Sequence, residues 1–232
     1  MNRSAHLDTF ARDNLPPRDQ WPELIFELPE LQYPARLNCA TELLDKPVAN
    51  GWGERIAIRS SRGTYTYKEL LALANRIARV LTDDTGLVPG NRVLLRGGNS
   101  PMMAACWFAV MKAGGIAVAT MPLLRAKELT DIVTKARVSH ALCDRALTEE
   151  LDAARAHCPT LIEPLHFHDE HGLESRVAGK PADFENVDTA ADDVSMIAFT
   201  SGTTGKPKGT MHFHRDVMAI CDCFPRSILK PV

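Results

Sequence analysis

The residues best suited to chemistry lie in one stretch of this 232-residue sequence, FTSGTTGKPKGTMHFH, from Phe199 to His214. Its three glycines let successive backbone N–H groups converge on an anion without intruding side chains. Hydroxyl groups add short donors and two lysines add charge; hydrogen bonds to charged groups contribute on the order of 1.5–3 kcal/mol each. We therefore predict a loop that binds two phosphates through Thr200, Ser201, Gly202, Thr203, Thr204, Gly205, Lys206 and Lys208.

Two common phosphate-binding motifs do not fit this loop. A Walker A loop requires G-x-x-x-x-G-K-[ST], but Thr200 stands where the first glycine belongs, and Pro207 follows the lysine. The dinucleotide fingerprint G-x-G-x-x-G is also absent from the loop. A solvated glycine-rich turn is the alternative, but the combination of glycines, hydroxyls, one proline and two lysines favours phosphate binding.

The segment TSGTTGKPKG (200–209) resembles the phosphate-loop signature of the adenylate-forming superfamily. That superfamily includes acyl- and aryl-CoA synthetases, the adenylation domains of peptide synthetases, and luciferases. Three earlier stretches are also similar to family segments: TYTYKEL (64–70), GLVPGNRV (86–93), in which Asn91 replaces an aspartate, and KAGGIAVATMPL (112–123). The stretches NLPPRDQWPEL, LPELQYPARLNCATELLD and ATMPLLRAKEL most resemble 2-aminobenzoate and benzoate CoA ligases.

The resemblance implies a two-step reaction on a small aromatic carboxylate, with ATP, Mg²⁺ and coenzyme A as cofactors. The carboxylate attacks the α-phosphate of ATP to give an acyl adenylate and pyrophosphate, and the CoA thiol then displaces AMP. Carried over by position, the loop from Thr200 to Lys208 binds the β- and γ-phosphates. The hydroxyls of Thr203 and Thr204 approach the phosphates or Mg²⁺. Such catalysis acts chiefly through positioning and charge stabilisation.

The resemblance also implies a catalytic role for His214, six residues beyond Lys208. The family has a histidine at this position, on the helix after the loop and near the acyl pocket, and His212 matches an alternative in some aryl members. The pKa of histidine lies near 6.5, so its imidazole could donate to or accept from a carboxylate. A packed imidazole without a catalytic role is the alternative interpretation.

Later family signatures have no counterpart in these 232 residues. They are aromatic-Gly-x-Thr-Glu, Tyr-x-Thr-Gly-Asp and a late lysine on a mobile C-terminal domain. We therefore expect the N-terminal part of an acid-thiol ligase, inactive alone. The alternative is a truncated, non-catalytic remnant that acts as a binding or interaction module.

The composition is that of a soluble globular protein, with 45% hydrophobic and 24% charged residues. A net charge of −2 shows no basic excess, so no nucleic-acid partner is expected. The N-terminal sequence MNRSAHLDTFARDNLPPRDQWPEL lacks the apolar segment of a signal peptide, which predicts a cytoplasmic location. The apolar stretch from Met102 to Leu124 is interrupted by Lys112 and two glycines, so we predict a helix, a turn and a strand rather than a membrane span.

A histidine-rich stretch, HFHDEH (166–171), superficially suggests a metal site. On a strand, alternate residues share a face, so His166 and His168 would point the same way. Solvated loop residues are the alternative, which we favour because the resemblance supports no metal there. Cys221 and Cys223 are separated by one residue, a spacing of neither a zinc knuckle nor a redox pair. We predict no protein metal site, and we expect most of the cysteines to be buried and reduced.

Alternating strand and helix patterns predict an α/β fold, with mainly parallel sheets flanked by helices. Residues 1–34 form a proline-rich extension laid over the surface, and residues 35–232 form a partial AMP-binding domain. A hairpin is predicted around Ser60–Gly63, a strand at 161–167, a surface crossing at 169–193, and a last strand, VSMIAFT (194–200).

Overall fold

The computed structural model describes residues 3–200 and 207–229. Its strands are β1 (Ile56–Ser60), β2 (Gly63–Thr66), β3 (Arg92–Arg96), β4 (Ile116–Thr120), β5 (His140–Asp144), β6 (Leu165–Phe167), β7 (Val194–Thr200) and β8 (Lys208–Phe213). Its helices are α1 (Phe10–Asp13), α2 (Tyr67–Arg79), α3 (Pro101–Lys112), α4 (Ala126–Ala136), α5 (Thr148–Arg155), α6 (Leu173–Ala178) and α7 (His214–Phe224). Wider helical turns occupy Thr41–Asp45, Val48–Trp52, Val80–Asp84 and Pro225–Leu229.

Six strands form the main sheet in the order β6-β5-β3-β4-β7-β8, and β1 pairs with β2 in a separate hairpin. The first five strands of the main sheet run parallel, while β8 runs antiparallel to β7. The carboxyl ends of the parallel strands therefore meet at one edge of the sheet. In α/β folds this edge is where ligands bind.

Helices cover both faces of the main sheet, and each face has its own apolar core. Successive side chains of a strand point to opposite faces. Accordingly, Val93 and Leu95 of β3 pack into one core with α2 and α3, whereas Leu94 packs into the other core with α4 and α5. All three side chains are buried. The predicted α/β class, with a mainly parallel sheet flanked by helices, is confirmed.

The apolar stretch from Met102 to Leu124 folds as predicted, into helix α3, which begins one residue earlier, a turn and strand β4. Gly114 has a φ of 69° in that turn, a conformation that favours glycine. No helix in the described part of the chain is long and apolar enough to cross a membrane. The cytoplasmic location stays a prediction.

Three elements differ from the sequence predictions. Strand β6 begins only at Leu165, since Pro164 has no backbone N–H to donate to a sheet. The predicted surface crossing at 169–193 contains helix α6, which buries Leu173 and Val177, four residues apart on one helical face. Strand β8 was not predicted, because its β-prone residues follow directly on the glycine-rich loop.

The N-terminal segment has only short helical turns, as its proline content predicts, but it is fixed to the domain more closely than a surface layer would be. Ala11 is 1% exposed within the core that lies under α4. The ring of Phe10 contacts two guanidinium groups, with its centroid 4.9 Å from Cζ of Arg92 and 4.8 Å from Cζ of Arg137. Such cation–π contacts contribute about 0.5–1 kcal/mol each at exposed sites and more when desolvated.

Candidate active site

The predicted phosphate loop joins two paired strands. Thr200, the last residue of β7, pairs directly with Lys208, the first residue of β8. Cα atoms of such antiparallel partners lie about 4.5–5.5 Å apart. The chain therefore leaves and re-enters the sheet at one point on its carboxyl edge, and both flanking residues are exposed there.

Thr200 and Lys208 are the two predicted phosphate ligands that the structure describes. The following lie outside the described residues: Ser201, Gly202, Thr203, Thr204, Gly205 and Lys206. Their roles, and those of Thr200 and Lys208, stay predictions. The structure contributes the position at which the loop is attached.

Close packing favours a glycine at position 209. A Cβ atom at this position would lie 3.0 Å from Cγ2 of Ile197 and 3.2 Å from Cζ of Phe199. Such contacts are tighter than ordinary van der Waals distances, so a larger residue would displace the Phe199 ring. Phe199 belongs to the loop's stem, by which we mean the residues that join the loop to β7 (Phe199 and Thr200) and to β8 (Pro207–Gly209). Gly209 is therefore a glycine for a second reason besides the predicted anion binding: β8 packs closely on β7.

A cavity of about 250 Å³ lies beside the loop, between β4, β7 and α4. Its polar lining includes Thr120 at the end of β4, Thr200 at the end of β7, and Glu128 in the first turn of α4. Phe199 and Pro207 contribute to its apolar lining. The cavity therefore offers hydroxyl donors and one carboxylate next to the predicted phosphate site.

The cavity wall between β4 and α4 is held by Arg96, whose side chain is buried at the end of β3. Its guanidinium donates to the backbone carbonyls of Met121 (3.3 Å), Pro122 (3.2 Å) and Leu124 (2.9 Å). A buried charge is tolerated only when its donors are paired. Arg96 thus fixes the course of the main chain beyond Thr120.

Helix α4 also contacts the loop itself, which the sequence analysis missed. The Nζ atom of Lys135 donates to the backbone carbonyl of Pro207 at 2.7 Å. Glu128, Ile132 and Lys135 are spaced by four and three residues, so they lie on one face of α4. The spacing was visible in the sequence, but the face that meets the loop depends on β7 lying next to β4.

His214 is the first residue of α7 and is fully buried. Its Nδ1 accepts the backbone N–H of Cys39 at 3.2 Å, and the Sγ of Cys39 also lies 3.2 Å away. Its Nε2 has no hydrogen-bond partner among the described residues. Burial lowers the pKa of His214 to about 3, with the charge of His6 acting in the same direction and that of Asp193 opposing it. The imidazole is therefore neutral near pH 7.

The structure does not bring His214 to the loop. Val194, the first residue of β7, pairs with Phe213, so His214 lies at the amino edge of the sheet, opposite the loop. His214 lies six positions beyond Lys208 at the far end of the extended strand β8, which corresponds to roughly 20 Å. Its burial and contacts favour the packed-imidazole interpretation, and its catalytic role stays a prediction. His212 lies in β8, paired with Met196.

The less favoured interpretation, in which His166 and His168 share one face of a strand, does not occur. His168 lies beyond the end of β6, with a φ of 57°, and its Nδ1 is 2.9 Å from Oδ2 of Asp144. Within the described ranges, no group of three or more His, Cys, Asp or Glu side chains is placed to bind a metal ion. Four of the six cysteines are buried, while Cys221 and Cys223 are partly buried, and all six are free.

Comparisons with known proteins agree with this architecture. The chain is 30% identical to the 3-hydroxybenzoate--CoA/4-hydroxybenzoate--CoA ligase of Thauera aromatica, over 82% of this chain and 37% of that protein. Its fold matches the crystal structure of the anthranilate CoA ligase AuaEII in complex with anthranoyl-AMP, with a TM-score of 0.80 at 20% identity over 86% of this chain and 38% of that one.

A second solved structure is more similar in sequence. ATP-bound MatB from Rhodopseudomonas palustris matches with a TM-score of 0.67 and 31% identity, over 76% of this chain and 35% of that chain. This chain thus spans less than two fifths of the length of these relatives. The profile of the family described as "AMP-binding enzyme" matches residues 46–228. The chain therefore belongs to the AMP-binding enzyme family.

Proposed function

We propose that this chain is the phosphate-binding part of an ATP-dependent aryl-CoA ligase. The observation that carries the proposal is the attachment of the TSGTTGKPKG loop at the carboxyl edge of a parallel sheet, through the paired residues Thr200 and Lys208. The similarity to a hydroxybenzoate-CoA ligase supports a small aromatic carboxylate as substrate. Benzoate, hydroxybenzoates and 2-aminobenzoate are the acids we propose.

In the first step, a carboxylate oxygen attacks the α-phosphorus of ATP, and the bond from that phosphorus to the bridging oxygen breaks. Negative charge grows on the departing pyrophosphate. Lys208 and the backbone N–H groups and hydroxyls of the loop would stabilise that charge, because preorganised donors act without reorganisation. In the second step, the thiol of coenzyme A attacks the acyl carbon and AMP departs.

The residues around the loop fit Mg²⁺ bound together with ATP. Mg²⁺ is typically held by one or two carboxylates, water and substrate phosphates rather than by a protein cage. Glu128 and the hydroxyls of Thr120 and Thr200 line the cavity beside the loop. When bound, the ion would neutralise phosphate charge; the residues of this chain would orient the phosphates against it.

We also propose the division into an N-terminal extension (1–34) and a partial AMP-binding domain (35–232). The catalytic role of His214 requires that its Nε2 be reached by the acid, yet the side chain is fully buried in this structure. The proposed function does not depend on that role.

The first test is the binding of Mg-pyrophosphate to this chain, measured by titration calorimetry. Lys208→Ala should weaken binding several-fold without unfolding the chain, because Lys208 is exposed and carries little packing. Lys68→Ala removes another exposed lysine, on α2, and should leave the affinity unchanged. Equal affinities of wild type and Lys208→Ala would contradict the phosphate role.

The second test is carboxylate-dependent exchange of labelled pyrophosphate into ATP by the native gene product. Benzoate, 3- and 4-hydroxybenzoate and 2-aminobenzoate should support exchange, and hexanoate should not. Exchange with hexanoate alone would contradict the aromatic substrate class while leaving the ligase reaction intact.

An alternative function, an interaction module, has one observation in its favour. Ile220, Phe224 and Ile228 recur every fourth residue along α7 and the following turn, and they are 60%, 55% and 66% exposed. Apolar side chains in such a stripe typically face a partner. Light scattering of wild type and Phe224→Ser tests this alternative: concentration-dependent association that the substitution abolishes would support it.

A further inference from the structure

The contact between helix α4 and the end of the loop is made by Lys135 and Pro207. Lys135 lies in the last turn of α4, and its side chain is exposed. Its ammonium donates to the carbonyl of Pro207, the residue immediately before β8. An ammonium has three N–H donors and this bond uses one of them.

The surroundings of Lys135 place it on the loop's stem. Lys135, Phe199 and Gly209 line a cavity of about 240 Å³ on one side of the β7–β8 pair. Ile132, one helical turn earlier, lines the cavity of about 250 Å³ that also contains Thr200 and Pro207. One face of α4 therefore borders the point where the loop leaves and re-enters the sheet.

A lysine at this point has two physical consequences. Its bond to Pro207 restrains the carbonyl that precedes Lys208, and so restrains the direction in which the loop returns to the sheet. Its positive charge adds to that of Lys208, and a charge beside a phosphate site raises affinity in a salt-dependent way. Both effects favour a bound polyphosphate.

We propose that Lys135 is a positioning residue of the phosphate loop, which holds the loop's C-terminal stem on helix α4 and strengthens the binding of pyrophosphate. This inference rests on the proposed phosphate role of the loop. It assigns to α4 a part in the site that the loop sequence alone does not contain.

The test compares three variants of the full 232-residue chain. Lys135→Ala removes the ammonium, and Lys135→Arg keeps a cationic donor. Lys127→Ala is the matched control, because it removes an exposed lysine from the first turn of the same helix. Two measurements are made on each: affinity for Mg-pyrophosphate by calorimetry, and backbone hydrogen exchange of residues 208–211 by mass spectrometry without ligand.

We expect Lys135→Ala to weaken pyrophosphate binding roughly two- to fivefold, the range for an exposed charge contact. Exchange at residues 208–211 should become faster in the same variant. Lys135→Arg should restore both values, and Lys127→Ala should match wild type. The loss of affinity should shrink at high salt, where exposed charges are screened.

The outcomes separate this inference from the proposed function. If wild type binds pyrophosphate and Lys135→Ala matches Lys127→Ala in both measurements, the inference is overturned and the proposed function stands. If wild type does not bind pyrophosphate, the phosphate role fails. In that case, the hydrogen exchange of residues 208–211 still tests the restraint by the Lys135–Pro207 bond. Exchange that is the same in Lys135→Ala and wild type overturns the restraint, whereas faster exchange in Lys135→Ala supports it.

Discussion

The burial of His214 predicts a specific dependence of stability on pH. Its pKa is lowered to about 3 in the folded chain, mainly by burial, against an ordinary value of 6.5. As the pH falls below 6.5, the unfolded chain therefore takes up a proton that the folded chain refuses. This contribution to stability is fully present above pH 6.5 and is lost as the pH falls towards 3, at about 1.4 kcal/mol per pH unit.

The substitution His214→Asn isolates this contribution. The asparagine side chain can still accept the backbone N–H of Cys39, so the variant should fold with a constant loss of stability at neutral pH. Between pH 6 and 4.5, wild type should lose about 2 kcal/mol more than the variant, since 1.5 pH units at about 1.4 kcal/mol each act only on wild type. Urea unfolding followed by tryptophan fluorescence measures both free energies.

Other groups with lowered pKa values are present in both chains, so their contributions cancel apart from the interactions of His6 and Asp193 with His214 itself. His6 and His140 have pKa values lowered by burial, and Asp8 and Asp193 have pKa values lowered by their hydrogen-bond donors in spite of burial. A difference in unfolding free energy that stays constant from pH 6 to 4.5 would refute the burial argument.

Two further predictions concern buried charges. Lys112 is fully buried, and its Nζ lies 2.6 Å from both carboxylate oxygens of Asp45. Asp45→Ala should lower the free energy of unfolding, measured in urea, by about 3–5 kcal/mol, because it leaves an unpaired buried ammonium. A loss below about 1 kcal/mol would show that water reaches Lys112. The Ser4 hydroxyl donates to the buried carboxylate of Asp193 at 2.5 Å, so Ser4→Ala should lower the free energy of unfolding by about 1–3 kcal/mol. Thr9→Ala removes an exposed hydroxyl and should lower it by less than about 0.5 kcal/mol. Equal losses of unfolding free energy would contradict a fixed N-terminal segment.

Much of the fold could be predicted because the signals are local. The recurrence of Leu70, Ala74, Ile77 and Ala78 predicts helix α2, whose buried face carries these residues. The Ser60–Gly63 turn predicts the β1–β2 hairpin. Strand β8 and helix α6 were missed because their apolar residues are few and their burial comes from distant segments.

The candidate site divides in the same way. The loop's composition predicts phosphate binding because backbone freedom, hydroxyl donors and charge are properties of consecutive residues. Whether His214 lies near that loop could not be predicted, since the chain from Lys208 to His214 could have formed a helix of about 9 Å or a strand of about 20 Å. Lys208–Phe213 form a strand, and His214 lies at the opposite edge of the sheet.

The sequence by itself determined the family, the alternation of strands and helices, and the chemistry of the loop, because each depends on residues close together in the chain. The tertiary structure alone decided that β7 lies beside β4, that Lys135 donates to Pro207 seventy-two positions away, and that the backbone N–H of Cys39 donates to His214. Those contacts join distant residues, and the free energy that selects them comes from burying two cores at once, which no local pattern contains.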